Sequence, residues 1–320
     1  MVKKSIILAA FHLLALILVV NLTAVSAQAW DKKKSKDQTE IEYTIEHDGV
    51  KRTYNLHIPA KIADNTNKVP LIIVLHGGGG NSDNGEKMTR FSEKADREGF
   101  IVAYPSGSGR LKRNILKTWN FWHCCGYAMR NNTDDIGFIG KLIDTLIKNY
   151  PVDPKRVLIT GMSNGAMMSH RAGIELSKKI AVIAPVVGTM FGDEPEARSP
   201  VAALIINGTK DTQIKIEGGQ NNSRFKDAWD GTPMKPALWQ SQYWAKNNGC
   251  KPTPKKTSIK PSVILYDYEC PKGYDVRHII LENGTHSWPG GRKGYKNGAD
   301  PTTEINATDE IWAFLIEMTG

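Results

Sequence analysis

The chain has 320 residues, 40% of them hydrophobic, four cysteines and a formal net charge of +9, of which Lys3 and Lys4 supply two. A mature length of about 290 residues is large for one domain yet within what a single α/β fold accommodates, and no stretch after the N-terminal one is long and apolar enough to span a bilayer. The basic balance comes without a nucleic-acid motif or interleaved aromatics, which excludes a nucleic-acid partner and leaves solubility and attraction to anionic polymers.

Lys3 and Lys4, the apolar run 6–20 and small residues ending in Val-Ser-Ala at 25–27 and Ala-Gln-Ala at 27–29 read as a secretory signal peptide over 1–27, cut after Ala27 or Ala29. The run is shorter than the ~20 residues of a spanning helix, and Asn21 and Thr23 interrupt its far end. No Cys precedes Cys124, so a lipid-anchored Cys at the cleavage site is excluded. The mature protein is expected to be exported, extracellular or periplasmic, free of the membrane and monomeric. Residues 28–40, with Lys32, Lys33, Lys34 and Lys36, read as a basic disordered arm, and 41–320 as one domain.

An exported chain favours disulfides. Cys250 and Cys270 bracket a Pro- and Lys-rich connection, where a bridge would close a loop worth ~3 kcal/mol. The adjacent Cys124 and Cys125 either pair with each other or stay as thiols. Only His123 stands near them as a further ligand, so no metal site is expected.

Residues 41–59 hold two alternating segments around His47-Asp48-Gly49, a strand pair turning at Asp-Gly. Strands and helices then alternate. The spacing predicts a strand over 71–75, a helix over 91–98, a strand over 100–104, and a helix capped by Asp134 or Asp135 with Ile136, Ile139, Ile143 and Ile147 on one face. A strand over 156–160, a helix over 164–179, and strands over 180–187, 201–207 and 277–281 follow. The last helix covers 308–318, with Trp312 and Leu315 on one face. Apolar strands alternating with amphipathic helices predict the α/β class, a mostly parallel twisted sheet with helices on both faces and ligands beyond the carboxyl ends of its strands. Residues 212–236, rich in Gly, Asn, Asp and Pro, break the alternation and read as an insertion over that edge.

Residues 157–168, Val-Leu-Ile-Thr-Gly-Met-Ser-Asn-Gly-Ala-Met-Met, form a strand, a Gly-x-Ser-x-Gly turn and a helix start. Side chains at Gly161 or Gly165 would meet the neighbouring strand or helix, and the tight turn lifts the Ser163 hydroxyl above the sheet at the positive end of the helix. In this setting the pattern predicts the α/β-hydrolase fold. A hydroxyl at its ordinary pKa is a poor nucleophile, so it needs a base within hydrogen-bond reach and an acid to orient that base. The order in this fold is Ser, acid, His. Asp211 follows the strand over 201–206 through Asn-Gly-Thr-Lys, and His286 follows 279–281 through Glu-Asn-Gly-Thr, so these are the expected acid and base. Among the rivals, Asp227 and Asp230 lie deeper in the insertion as surface carboxylates, His278 falls inside a strand, and His170 lies two turns along the helix from Ser163. After the first long core strand comes Leu75-His76-Gly77-Gly78-Gly79-Gly80, whose backbone N–H near Gly78 or Gly79 is expected to form an oxyanion hole with that of Asn164. A phosphate loop would need Lys after Gly85, where Glu86 stands.

Leu75-His-Gly-Gly-Gly-Gly, Thr118-Trp-Asn with Cys124-Cys-Gly, Asp134-Asp-Ile-Gly-Phe, Gly161-Met-Ser-Asn-Gly-Ala, Asn207-Gly-Thr-Lys-Asp and His286-Ser-Trp-Pro-Gly together resemble the secreted esterases related to poly(3-hydroxybutyrate) depolymerases and to feruloyl and acetylxylan esterases. The resemblance runs from about residue 54 to residue 291. It implies a serine carboxylic-ester hydrolase that works through an acyl-enzyme without metal or organic cofactor, with Ser163, Asp211 and His286 at the positions of nucleophile, acid and base. Glu282-Asn-Gly-Thr ahead of His286 departs from relatives that are more glycine-rich there, which bears on the pocket wall.

Trp119, Trp122 and Trp288 flank these motifs and are expected to form the acyl or leaving-group wall, although each taken singly reads as core packing. The expected partner is an ester substrate, small or polymeric. With no added binding module after the last helix, acetyl or feruloyl esters of hydrated polysaccharide are expected ahead of polyhydroxybutyrate or hydroxyalkanoate oligomers. The competing class is a non-catalytic, ligand- or polymer-binding relative, against which the intact Ser163, Asp211, His286 and glycine loop argue.

Overall fold

A computed structural model describes residues 33–34, 41–63, 67–111, 114–221 and 228–320. Its elements in chain order begin with β1 (Lys33–Lys34), β2 (Ile41–His47), β3 (Val50–His57), α1 (Ala60–Ala63), β4 (Val69–Leu75), α2 (Ser82–Thr89), α3 (Phe91–Glu98) and β5 (Ile101–Pro105). They continue with α4 (Gly126–Arg130), α5 (Asp135–Asn149), β6 (Val152–Met162), α6 (Asn164–Glu175), β7 (Val182–Val186) and β8 (Ala202–Gly208). The last are α7 (Ala237–Asn247), β9 (Lys255–Lys260), β10 (Val263–Tyr268), β11 (Val276–Leu281) and α8 (Ala307–Thr319). The signal-peptide reading over 1–27 lies outside the described residues. So does the basic arm apart from Lys33 and Lys34, which pair antiparallel with β2.

The strands join one eleven-stranded sheet in the order β1-β2-β3-β5-β4-β6-β7-β8-β11-β10-β9. From β5 to β11 every neighbour is parallel, and both flanks are antiparallel. β4 and β6 are neighbours although β5 lies between them in the chain. The crossovers therefore leave this pair in opposite directions, and a crevice opens at its carboxyl ends. The loop after β4 and the turn after β6 both face that crevice.

β4, β5, β7 and β8 are buried along their whole length, as strands covered on both faces must be. Alternation sends Ile72, Val74, Val102, Leu158, Val182 and Leu204 into one core with Phe91 and Ala95 of α3 and Phe314 and Leu315 of α8. Ile183 faces the other way, where a Cβ on Gly173 of α6 would lie 2.8 Å from it, so glycine sets the closeness of that helix. α5, α6 and α7 cover this second face.

The structure differs from the pattern in instructive places. α6 stops at Glu175, four residues before the expected end, because the Lys179 N–H closes a turn on the Leu176 carbonyl at 2.7 Å. α2 is polar with Gly85 in its middle, so it has no apolar period to read; it starts because the Asn81 side chain accepts the Asn84 N–H at 2.9 Å. β9 is an exposed, lysine-bearing edge strand, a composition that discourages further pairing. Cys250 and Cys270 stand at disulfide distance, Cα atoms 4.0 Å apart, and Cys124 is joined to Cys125. Among the described residues no helix is long and apolar enough to cross a membrane.

A buried polar chain ties the second layer to the sheet. Trp244 Nε1–H donates to His170 Nδ1 at 2.9 Å, His170 Nε2–H to Gln240 Oε1 at 2.8 Å, and the Gln240 amide to Asn207 Oδ1 at 3.2 Å. His278 Nε2–H reaches the same Asn207 oxygen at 2.9 Å. Burial without a charged partner lowers His170 to about 4 and His278 to about 3; His76, after β4, is likewise lowered to about 4 by burial. Unfolding returns these groups to the ordinary value of 6.5, so below that pH the unfolded chain binds more protons than the folded one. Their contribution is complete above about pH 6.5 and is lost as the pH falls toward 4. Thermal unfolding followed from pH 7 to pH 5, above most carboxylate titration, should show Tm falling with pH, and falling less in His278→Gln. A Tm that is level or rises over that interval would contradict neutral burial of these histidines.

Candidate active site

Ser163 is the single residue between β6 and α6, and its backbone has positive φ (φ 57°, ψ −120°). A non-glycine residue there costs ~1–3 kcal/mol and persists only when its surroundings over-determine it. Two hydrogen bonds do so: the Ser163 N–H donates to the Val186 carbonyl at 3.0 Å, and the Met167 N–H donates to the Ser163 carbonyl at 3.0 Å. Contact distance compels the flanking glycines. A Cβ on Gly161 would lie 2.6 Å from the carbonyls of Gly165 and Leu75, and one on Gly165 would lie 2.2 Å from the Leu75 oxygen.

The loops after β8 and β11 travel together because those strands are parallel neighbours. Thr209 N–H bonds the Leu281 carbonyl, Lys210 N–H bonds the Gly284 carbonyl, and Gly208 lies against Gly284 with no room for a side chain. Asp211 and His286 therefore meet, with Asp211 Oδ2 accepting from His286 Nδ1 at 2.7 Å. Asp211 Oδ1 accepts the N–H groups of Gln213 and Ile214, each at 2.8 Å, and both side chains are nearly buried. A carboxylate aimed in this way places the proton on Nδ1 and leaves Nε2 as the acceptor, the tautomer a general base requires. Among the described residues no hydrogen bond joins the Ser163 hydroxyl to His286; such bonds tighten when substrate occupies a site. Of the rival acids, Asp227 lies outside the described residues, and Asp230 is engaged by His123 at 2.6 Å. The rival bases His170 and His278 are in the buried chain described above.

The loop after β4 is held by His76. Gly107 N–H donates to His76 Nε2 at 2.9 Å, so Nδ1 carries the proton and donates to the Gly77 carbonyl at 2.7 Å. In a trans peptide the Gly78 N–H then points opposite to that carbonyl, and Gly78 lies beside Asn164, its Cβ position 3.6 Å from Asn164 Cβ. Gly79 is a correction to the expected pair of donors: its N–H is taken by the Lys117 carbonyl at 2.7 Å. Gly78 and Asn164, the first residue of α6, each carry an N–H with no partner among the described residues.

Of the expected substrate tryptophans, two are corrected by burial. Trp119 is fully buried, donating from Nε1 to the His76 carbonyl at 3.0 Å, while the Asn164 amide clasps its backbone N–H (2.7 Å) and carbonyl (3.0 Å). It supports the turn rather than presenting a face. Trp288 is also fully buried, edge-on to Phe91 and bonded to Thr308 Oγ1 at 3.0 Å. Trp122 is half-buried and lines a groove of about 400 Å³ along α6 with Ile136, Arg171 and Arg198, the Arg171 guanidinium lying 4.9 Å from its ring. The aromatic contact that sequence reasoning missed is Phe121–Phe191–Trp229, drawn from three separate loops. No local pattern marks it. Among the described residues, His47, Asp48 and Asp134 are spaced for a cation, but they are on the surface and Asp134 already caps α5 through the Gly137 N–H.

The Gly165 contact makes a direct test. Ala there would gain about 1 kcal/mol of helix propensity but must displace β4 or α6, at a cost of roughly 3 kcal/mol or more. Urea unfolding of Gly165→Ala should show a clear loss of stability together with loss of any esterase turnover, and a wild-type midpoint would contradict the packing described.

Comparison with known proteins agrees with this arrangement. A bifunctional acetylxylan esterase/xylanase from Neocallimastix patriciarum is 26% identical over 94% of this chain and 40% of its own length. Feruloyl esterase B from Piromyces equi is 27% identical over 71% of this chain and 41% of its own. The chain thus spans about two fifths of these relatives. The acetyl xylan esterase from Aspergillus awamori shares the fold, with a TM-score of 0.59 at 16% identity over 87% of this chain and 99% of its own. The family model for esterase PHB depolymerase matches residues 52–218, more than half of the chain. That stretch carries the His76–Gly80 loop, the Ser163 turn and Asp211, and the chain belongs to the esterase PHB depolymerase family.

Proposed function

We propose that the protein is an exported serine carboxylic-ester hydrolase that works through an acyl-enzyme. The observation that carries this reading is the Asp211–His286 pair, buried and tautomer-directed, on loops that leave the same carboxyl edge of the parallel sheet as the positive-φ Ser163 turn. In the proposed cycle His286 Nε2 takes the Ser163 proton as Oγ attacks the ester carbonyl. The N–H groups of Gly78 and Asn164 receive the developing oxyanion, each contributing ~3 kcal/mol to the transition state. His286 then protonates the leaving alcohol, and water releases the acid by the reverse path. The paired cysteines and the signal-peptide reading support an oxidising, exported setting.

For the substrate we propose acetyl or feruloyl esters of polysaccharide. The relatives named for such substrates support this choice, as does the half-buried Trp229 packed on Phe191. Hydroxyalkanoate oligomers are the second reading, supported by the family description.

With p-nitrophenyl acetate, Ser163→Ala and His286→Ala should each lose nearly all of kcat, and Asp211→Asn should fall by roughly 10³–10⁴-fold because the imidazole loses its orientation. Turnover by Ser163→Ala near the wild-type rate would defeat the reading. Comparing kcat/KM on methyl ferulate, acetylated xylan and a hydroxybutyrate trimer separates the substrate classes; preference for the trimer would overturn the substrate choice alone.

A further inference from the structure

Three loops lie together on one flank of the Ser163 turn. Residues 119–125 are held to it by the Asn164 clasp on Trp119. The loop after β7 is held through Gly188, whose Cβ position is 2.6 Å from Ala166. The segment 228–235 joins both: Trp229 bridges Cys124, Asp230 N–H bonds the His123 carbonyl at 3.1 Å, and Lys235 N–H bonds the Met190 carbonyl at 2.9 Å. Their shared contact is aromatic, with the Phe191 ring 5.8 Å from Phe121, 5.7 Å from Trp229 and 4.9 Å from His123.

His123 stands between two carboxylates from different loops. Nδ1 lies 2.6 Å from Asp230 and Nε2 lies 2.9 Å from Asp193. Ionised carboxylates only accept hydrogen bonds, and a neutral imidazole has one N–H, so it can satisfy only one of the two. Both contacts together require the imidazolium. Thr232 Oγ1, 3.1 Å from Nδ1, does not replace the donor needed at Nε2. The charged groups facing the ring are Asp193 and Asp230; Glu194, beside Asp193, accepts the N–H groups of Phe191 and Gly192. The segment carrying His123 adds only the joined Cys124 and Cys125. Partial burial works against the charge, but the hydrogen bonds and charges of Asp230 and Asp193 outweigh it and raise the His123 pKa.

We propose that His123, as an imidazolium, is the positioning residue that holds the half-buried Trp229, backed by the buried Phe121 and Phe191, as a wall on the Ser163 flank, so that affinity for esters with a bulky aromatic acyl group depends on its charge. The inference rests on the serine-esterase reading. Deprotonation leaves Asp193 facing a lone pair, and the loop after β7 loses its charged tie to the His123 segment while keeping the Lys235–Met190 bond. The wall loosens as the pH rises through the His123 titration, which lies above the ordinary 6.5. An acetyl group does not need the wall, so Ser163 chemistry on small esters is unaffected by it.

The test measures kcat and KM on methyl ferulate and p-nitrophenyl acetate from about pH 6 to pH 9 in wild type, His123→Gln and Asp193→Asn. In wild type KM for methyl ferulate should rise roughly fivefold with pH, the size expected for a lost, partly exposed charge pair, without a matching change for the acetate. His123→Gln should show the high KM throughout. Asp193→Asn is the discriminating variant, because an amide can donate to neutral Nε2: the low KM should survive to high pH and the rise should vanish. The same pH-dependent KM in Asp193→Asn, or wild-type KM in His123→Gln at pH 7, would overturn the proposal. ¹⁵N imidazole signals of wild type should show both His123 nitrogens protonated at pH 7, and a neutral ring there would overturn it without reference to activity. No turnover of p-nitrophenyl acetate by wild type would instead defeat the esterase reading, with the ¹⁵N signals still deciding the charge of His123.

Discussion

Where β6 gives way to α6, the backbone of Gly165 passes so close to the end of β4 that a methyl group would sit 2.2 Å from the Leu75 carbonyl oxygen. Most of the site follows from that approach. Because α6 starts immediately at Asn164, the strand must reverse in one residue, which puts Ser163 at positive φ with its side chain outside the sheet. The same closeness brings the His76–Gly80 loop alongside the turn, since β4 and β6 are neighbours at the point where the chain changes direction. Asn164 then clasps Trp119 and recruits a third loop.

The electrostatics are arranged by burial more than by charge. His76, His170 and His278 are held neutral, each with its ring nitrogens committed to named partners, and serve as rigid connectors. His286 differs in having a carboxylate on Nδ1, and that carboxylate is itself aimed by two backbone N–H groups. His123 differs again in having a carboxylate on each nitrogen. One residue type thus stands in three hydrogen-bonding environments, set by its partners.

Much of this was legible in the sequence where the controlling contacts are local or where the fold dictates chain order. Gly161 and Gly165 announce a tight turn, and a Ser, Asp, His order after successive strands points to Asp211 and His286. What stayed hidden depends on contacts between distant segments. Gly79 looks as available as Gly78 until Lys117, 38 positions on, takes its N–H. Trp119 and Trp288 resemble wall residues because they adjoin the motifs, yet adjacency in sequence says nothing of which side of the backbone is solvent, and both are core. α2 has too few apolar positions to show a period. The His123 pairings span 70 and 107 positions, so neither partner could be matched from spacing.

That Ser163 is the nucleophile is tested most directly by intact-mass analysis and peptide mapping after a fluorophosphonate, which reacts fastest with an activated serine hydroxyl and leaves a stable adduct on it. The protein should gain one adduct mass, mapped to Ser163, and Ser163→Ala should gain none. An unmodified wild-type chain, or an adduct that maps elsewhere and persists in Ser163→Ala, would contradict the assignment.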